Sequence, residues 1–367
     1  MKNVLFITNI PAPYRIDFYN ELGKYVDLTV LFEAKGASNQ GIKFNWNLDS
    51  ITNFKAIFLS KGDIQEKRVN WKIMNFLRYH KFDITVVTSY SYFTEMVALL
   101  YLKMLHIPYY METDGGLIRN ENKLKKWYKT FLIKGAVGYF SPSSQSDKYL
   151  EYYGAKCGAI YRYPFTSLTQ NSILTKVVDQ DEKEFIRKNL KLVGKKIVLG
   201  VGQMICRKGW DILIVAAAKT DSEVHFYIVG GNPTKEYLEL MDKYNIKERI
   251  HFIPFATSDV LSEYYKASDI FVLPTREDIW GLVINEALAY SLPVITTINC
   301  VAGLELIHNN ENGRLVDVDA PDDLAKSIMD LLYSGSYDKM AEQALESIRN
   351  HTIEEMAKIH YEIFEKQ

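Results

Sequence analysis

The chain reads as an α/β protein of two doubly wound domains with parallel sheets, and three observations carry that reading. Short apolar runs alternate with helix-length amphipathic segments along nearly the whole chain, as βαβ connections require. The 367 residues exceed one ordinary core and suit roughly two domains. A polar, loop-like stretch at 166–181 separates two such alternating halves.

In the first half the apolar runs predict strands at 4–8, 28–32, 56–59, 84–88, 109–111 and 138–140, with helices between them, among them 14–24, 71–80 and 93–105. In the second half strands are predicted at 197–201, 224–229, 250–253, 270–273, 294–296 and 313–316. The helices there include 210–218, 234–244, 260–267, 282–290 and 321–332, and a charged helix follows the polar stretch. The domain boundary is placed at 165/166, giving domains at 1–165 and 166–351.

Composition excludes several classes. A net charge of −1 gives no global pull toward nucleic acid or membrane. Cys157, Cys206 and Cys300 are far apart, without metal spacing, and read as reduced thiols of a cytoplasmic protein. The opening MKNVLFITNI lacks a small-residue cleavage site and reads as a first strand, not a signal peptide. The apolar segment 92–110 contains Glu95, Lys103 and His106, so it reads as a buried helix and strand rather than a membrane span. The seven histidines (His80, His106, His225, His251, His308, His351 and His360) are scattered, with no H-E-x-x-H spacing, and no metal is expected. No G-x-G-x-x-G or Walker-type motif follows a strand, which weakens dehydrogenase and P-loop readings.

Residues 270–297, IFVLPTREDIWGLVINEALAYSLPVITT, are the most informative. An apolar strand runs into a polar turn (Pro274 to Asp278), a Trp-Gly step, a helix opening near Leu282 and carrying Glu286, then Pro293 and another strand. In open α/β sheets ligands bind at the carboxyl ends of strands, where helix N-termini present N–H groups to anions. With Asp278 and Glu286 eight positions apart, one in the loop and one in the helix, this is a plausible cradle for a sugar nucleotide.

Asp278 to Leu282, then Glu286 to Ala289, then Leu292–Pro293–Val294, resemble the signature of the retaining glycosyltransferases of family 4, bacterial polysaccharide-type enzymes of the GT-B fold. The resemblance is specific in the second half of the chain and diffuse in the first. It implies two Rossmann-like domains facing across a cleft, with the last helix, 352–367, crossing back to the first domain. It also implies that Glu286 binds ribose hydroxyls of a nucleoside-diphosphate sugar. The family's first acid is usually Glu. Here the aligned residue is Asp278, preceded by Glu277, and either one reaches the donor sugar. Trp280 walls the sugar or fills core, and Gly281 and Leu282 offer backbone amides to the diphosphate.

After the strand at 197–201 come Gly202, Gln203, Met204, Ile205, Cys206, Arg207, Lys208 and Gly209. This resembles the family loop that holds the diphosphate, Lys208 matching the family Lys and Gln203 replacing the usual Arg, with Arg207 as a compensating cation. Alone the loop reads as a surface turn with two solvated cations. Beside the carboxylate helix at the same sheet edge it reads as a phosphate site, where fixed cations stabilise a departing diphosphate. Gly230–Gly231 resembles the family's turn near the nucleotide base, and a tight strand-to-helix turn explains it equally well.

On the acceptor side, Tyr14 and Arg15 follow a proline-stiffened first loop, where they either face the ligand or shape the helix start. Asp114, in Glu112–Thr113–Asp114–Gly115–Gly116, is within the chemistry of an acceptor base, although Asp-Gly-Gly is more often only a turn. Ser141–Pro142–Ser143–Ser144 resembles the family's Pro-Ser segment and equally signals a helix start. Asp278, Lys208 and Asp114 are therefore the candidates for the chemistry itself.

Residues 122–134 place Leu124, Trp127, Tyr128, Phe131 and Leu132 along one helical stripe, with Lys123, Lys125, Lys126 and Lys129 on the other faces. The pattern fits a core-packing helix with a solvated face. The resemblance adds a second reading, a basic helix lying on the inner face of a membrane next to a lipid-linked acceptor. The expected function is transfer of a sugar from a nucleoside diphosphate to a glycan or lipid-linked hydroxyl, with no cofactor beyond the co-substrate and no nucleic-acid partner. A binding-only sugar-nucleotide protein and a sugar-nucleotide epimerase of the same fold are the alternatives.

Overall fold

The computed structural model describes residues 1–39, 42–44, 48–64 and 68–366. Two compact units are present, one formed by Met1–Ser167 and His351–Gln367, the other by Leu168–Asn350.

The first unit holds β1 (Asn3–Thr8), β2 (Asp27–Phe32), a short antiparallel hairpin of β3 (Ala37–Asn39) and β4 (Ile42–Phe44), and then β5 (Lys55–Phe58), β6 (Ile84–Val87), β7 (Tyr110–Glu112), β8 (Gly138–Ser141) and β9 (Ile160–Arg162). Seven of these form one parallel sheet in the order β5-β2-β1-β6-β7-β8-β9. Its centre is apolar on both faces. Val4, Leu5, Phe6, Val30, Leu31, Val86 and Val87 are fully buried, which is why these strands read as unbroken apolar runs. The crossovers use α1 (Pro13–Leu22), α2 (Lys72–Tyr79), α3 (Phe93–Met104), α4 (Lys123–Ile133) and α5 (Ser144–Tyr152). Strand order reverses between β1 and β6, so the loops leaving those two strands diverge.

The second unit is a parallel sheet of β10 (Lys196–Val201), β11 (Val224–Val229), β12 (Ile250–Ile253), β13 (Ile270–Leu273), β14 (Val294–Thr297) and β15 (Gly313–Val316), in the order β12-β11-β10-β13-β14-β15. Its helices are α6 (Gln180–Leu190), α7 (Trp210–Ala217), α8 (Lys235–Lys243), α9 (Ser258–Ala267), α10 (Leu282–Ala289), α11 (Val301–Leu306), α12 (Pro321–Leu332) and α13 (Tyr337–Ile348). Here the reversal falls between β10 and β13. The two loops singled out in the sequence are the ones that leave these strands, so both lie where doubly wound sheets bind ligands.

The last helix, α14 (Ile353–Glu365), belongs to the first unit. Thr352 caps it by accepting a hydrogen bond from Glu355 N. Ile353, Met356, Ala357, His360, Ile363 and Phe364 form its buried face. Phe364 reaches Phe6, Tyr110 and Phe140 at ring separations of 6.4, 6.2 and 5.8 Å, and Tyr361 stacks on Tyr25 at 5.1 Å.

Of the two readings left open for 122–134, the core-packing one does not hold. The stripe on α4 does not pack into the core. Leu124 and Trp127 are 75% and 64% exposed, Tyr128 and Phe131 are also exposed, and only Leu132 and Ile133 at the helix end are buried. The helix is instead anchored through its ends. Asn122 caps it by accepting from Lys125 N at 2.8 Å, and Lys103 of α3 donates to the terminal carbonyls of Phe131 and Leu132.

Candidate functional site

In the second unit the chain leaves β10 at Val201, turns at Gly202, and enters α7 through a 3-10 turn, Cys206–Lys208. Trp210 opens α7 fully buried, and its indole N–H donates to Gln203 O at 2.9 Å, fixing the loop from beneath. Gly209 has φ +72, and a Cβ there would stand 2.0 Å from Pro274 O, so only glycine lets this loop touch the one after β13. Gly230, ending β11, abuts the same loop: a Cβ on it would come within 2.4 Å of Gly202 O.

The loop after β13 is strapped on both sides. Arg276 N donates to Arg207 O at 2.8 Å, and Asp278 N donates to Asn299 O at 3.0 Å. Val301 N and Ala302 N donate to Asp278 O and Trp280 O at 3.2 and 3.0 Å. The Arg276 guanidinium grips Asp211 with two bonds of 2.9 and 2.6 Å, meets Asp319 at 2.8 Å and donates to Cys206 O at 2.7 Å. These bonds hold the backbone of the two loops in one geometry, as a preorganised site requires.

Lys208 Nζ donates to Asp278 Oδ2 at 2.6 Å, and both side chains are nearly buried. Arg207 is more exposed, donates to Glu277 O at 2.7 Å and stands 3.5 Å from Asp278 Oδ1. Asp278 therefore lies between the two cations, and an anion reaching Lys208 shares it with Asp278. Glu277 is half-buried and Gln203 is exposed. Trp280 is buried, with its indole N–H donating to Asn285 Oδ1 at 2.9 Å. It fills core beneath the loop and does not wall an open surface.

Gly281 opens α10 at φ +104, and as a glycine it offers no side-chain cap to the first turn. A Cβ on Gly281 would lie 2.9 Å from Cys300 Sγ. Glu286 follows in the second turn, half-buried, its Oε2 accepting from Tyr265 OH at 2.9 Å. Tyr265 comes from α9, is buried, and stacks on Tyr290 at 5.2 Å and 2°. Burial, then the adjacent Glu286 carboxylate, raise the Tyr265 pKa well above the usual phenol range, so it stays a donor. Lys208, Arg207, Asp278, the α10 N-terminus and Glu286 thus belong to one sheet edge. Tyr265 and Arg276 are neighbours of these residues that the sequence does not mark; a tyrosine in an amphipathic helix and a cation in a polar turn carry no distinguishing signal.

The first unit brings Tyr14, Arg15 and Asp114 together at the carboxyl ends of β1 and β7. Arg15 is buried, and its guanidinium donates to Glu112 Oε1 through one Nη and to Asp114 Oδ1 through the other. The rings of Tyr14 and Phe165 each lie 5.6 Å from it. Both Nη groups of Arg15 are thus engaged by carboxylates of its own unit. Burial drives the Glu112 pKa up, but Arg15 and His360 pull it down further, to about 2. Burial raises Asp114 against the pull of Arg15, and burial with Asp114 raises Tyr14 to about 12. Ser143 serves as a helix cap, its Oγ accepting from Ser146 N at 3.0 Å. Among the described residues no three His, Cys, Asp or Glu side chains gather as metal ligands.

Residues 181–349 match the family Glycosyl transferases group 1. An uncharacterized glycosyltransferase of Haemophilus influenzae is 33% identical over 151 residues, which are 40% of this chain and 42% of that protein. The chain thus spans less than half the length of that curated relative. Across the whole chain, Anabaena Alr3699/HepE, solved in complex with UDP, superposes with a TM-score of 0.80 at 16% identity, covering 100% of both chains. A glycosyltransferase from Rickettsia africae does so with a TM-score of 0.76 at 19% identity, covering 100% of this chain and 98% of that one. The chain has the GT-B fold, and the glycosyl transferases group 1 match falls within its second unit.

Proposed function

We propose that this chain transfers a sugar from a nucleoside-diphosphate sugar to a hydroxyl of a glycan or lipid-linked acceptor, with retention at the anomeric carbon. The observation that carries the reading is that two cations, a helix opened by Gly281, and Glu286 on that helix all belong to the segments leaving β10 and β13 at the switch point of the second sheet. Lys208 and Arg207 take the diphosphate, together with the amides at Gly281 and Leu282, and their fixed charge stabilises the negative charge that builds as the bond to the sugar breaks. Glu286, oriented by Tyr265, accepts the ribose hydroxyls. Asp278 and Glu277 take the donor sugar hydroxyls. Asp278 also prevents two neighbouring cations from standing uncompensated before the donor arrives.

Asp114 orients the acceptor hydroxyl, and in the same-face attack we favour, the departing phosphate removes its proton. That HepE has been solved with UDP and with UDP-glucose supports a nucleotide-sugar donor. The exposed aromatic stripe and lysines of α4 support an acceptor presented at a lipid surface, with the protein peripheral to it. No described helix is long and apolar enough to cross a membrane.

The test is incubation with UDP-, GDP- and ADP-sugars and a panel of glycan and lipid-linked acceptors, followed by NMR of the product. A glycoside with the donor's anomeric configuration, absent with Glu286→Gln, supports the proposal. Donor consumed with no glycoside, or an inverted product, sinks it.

A further inference from the structure

Four side chains of the first unit form one unbroken chain of polar contacts. On α14, His360 Nδ1 faces Met356 O at 2.8 Å, while Nε2 faces Glu112 Oε2 at 3.2 Å. The other Glu112 oxygen accepts from Arg15 on α1, and the second Nη of Arg15 donates to Asp114 Oδ1. Three members are sealed: the side chains of His360 and Glu112 are 0% exposed and that of Arg15 is 5% exposed, whereas Asp114 is 38% exposed. The network therefore has one outlet, the Asp114 carboxylate at the carboxyl end of β7.

The inner end is held rigidly. The His360 ring lies 4.2 Å from Phe140 and nearly parallel to it, with Phe18 and Tyr163 each at 5.0 Å edge-on. Tyr163 in turn donates to Thr113 O, next to Asp114, at 2.8 Å. A guanidinium is a planar fork, so fixing one Nη on Glu112 sets where the other points. Without a partner for Glu112 Oε2, a buried carboxylate oxygen is left unsatisfied, and the arginine becomes its only way to recover a hydrogen bond.

We propose that His360 is a positioning residue for Asp114: the last helix, through His360, Glu112 and Arg15, sets the orientation of the one exposed carboxylate that meets the acceptor. This rests on the reading of Asp114 as an acceptor-side group. It gives the C-terminal helix a part in the reaction beyond packing, and it assigns a role to the buried Glu112–His360 pair.

The test compares wild type with His360→Leu, which removes both contacts, and His360→Gln, whose amide can still donate to Glu112. Two readouts are used on the full chain. The Arg15 guanidinium N–H signals, followed by NMR, are expected to be protected from exchange in wild type and His360→Gln and to lose protection in His360→Leu. In transfer assays His360→Leu is expected to raise the acceptor KM or lower kcat by tenfold or more, with nucleotide affinity unchanged and with Gln restoring most of the loss. In an Asp114→Asn background His360→Leu is expected to cost little more.

Wild-type acceptor kinetics in His360→Leu overturn the proposal. So does an undiminished loss in the Asp114→Asn background, or a parallel loss of nucleotide affinity, which marks a general folding defect. If no acceptor is turned over by wild type, the proposed reaction fails, and the Arg15 signals still decide whether His360 holds the clamp.

Discussion

Tyr265 and Glu286 stand 21 positions apart on different helices, and their 2.9 Å hydrogen bond shows what a motif omits. The sequence marked Glu286 because its spacing from Asp278 and the Pro-Val strand beyond are local. Its orienting partner was illegible, since contacts between separate helices leave no periodic trace. Glu112 on β7 and His360 on α14, 248 positions apart, were illegible in the same way, since a strand-to-helix contact at that separation leaves no local trace. Trp280 shows the converse, a legible motif residue whose indole is buried against Asn285. Tyr265→Phe removes one hydrogen bond to a carboxylate, so donor affinity is expected to fall about tenfold, the equivalent of ~1.4 kcal/mol. Acceptor KM is expected to stay within twofold. Titration calorimetry of the variant with nucleotide measures this directly, and unchanged affinity would show that Tyr265 does not orient Glu286.

Elements were legible where burial is two-sided. The inner strands β10, β11, β13 and β14 coincide with apolar runs, because parallel strands covered on both faces need apolar residues at nearly every position. β9, three residues at the sheet edge and only partly buried, gave no such run. For α4 the helix itself was legible but its surroundings were not. A stripe at helical spacing says that a face is apolar, not what covers it. Here Trp127 stacks on Phe131 at 5.8 Å, both rings are exposed, and Met104 and Leu105 at the end of α3 are exposed as well. Replacing Trp127 and Phe131 by Glu is expected to abolish co-sedimentation with vesicles containing anionic lipid. Stability should change by no more than about 0.5 kcal/mol per site, since neither side chain is buried. Vesicle binding that survives the double substitution would exclude α4 as the contact.

At the scale of the whole molecule, both units repeat one device, a doubly wound sheet whose strand order reverses beside its central strand, with the polar residues collected at the diverging loops. Each unit also carries buried charge. In the first, burial, with Glu33 adding to it, pushes Glu95 up to about 8, although it lies fully inside α3. A carboxyl whose folded pKa lies above its unfolded value binds its proton more tightly when folded. The stability it contributes is complete below the unfolded pKa and is lost as pH rises toward 8. Glu112 has the opposite sign: its contribution is present above the ordinary carboxylate range and is lost as pH falls toward about 2. Glu95→Gln is therefore expected to flatten the decline in melting temperature between pH 5 and pH 8 and to make the protein more stable than wild type at pH 8. An unchanged slope would show that Glu95 is ionised in the folded state.

In the proposed function, the switch point of the second sheet holds a nucleoside-diphosphate sugar on Lys208 and Glu286. The most direct measurement is the melting temperature in the presence of UDP, GDP, ADP and their common sugar conjugates, for wild type, Lys208→Ala and Glu286→Ala. A ligand at 100 times its Kd adds about 2.7 kcal/mol to a protein that binds it only when folded, a rise of several degrees. Such a rise is expected with the nucleotides of one base, and its loss in both variants. No rise with any nucleotide, or a rise that both variants keep, would contradict the proposed function.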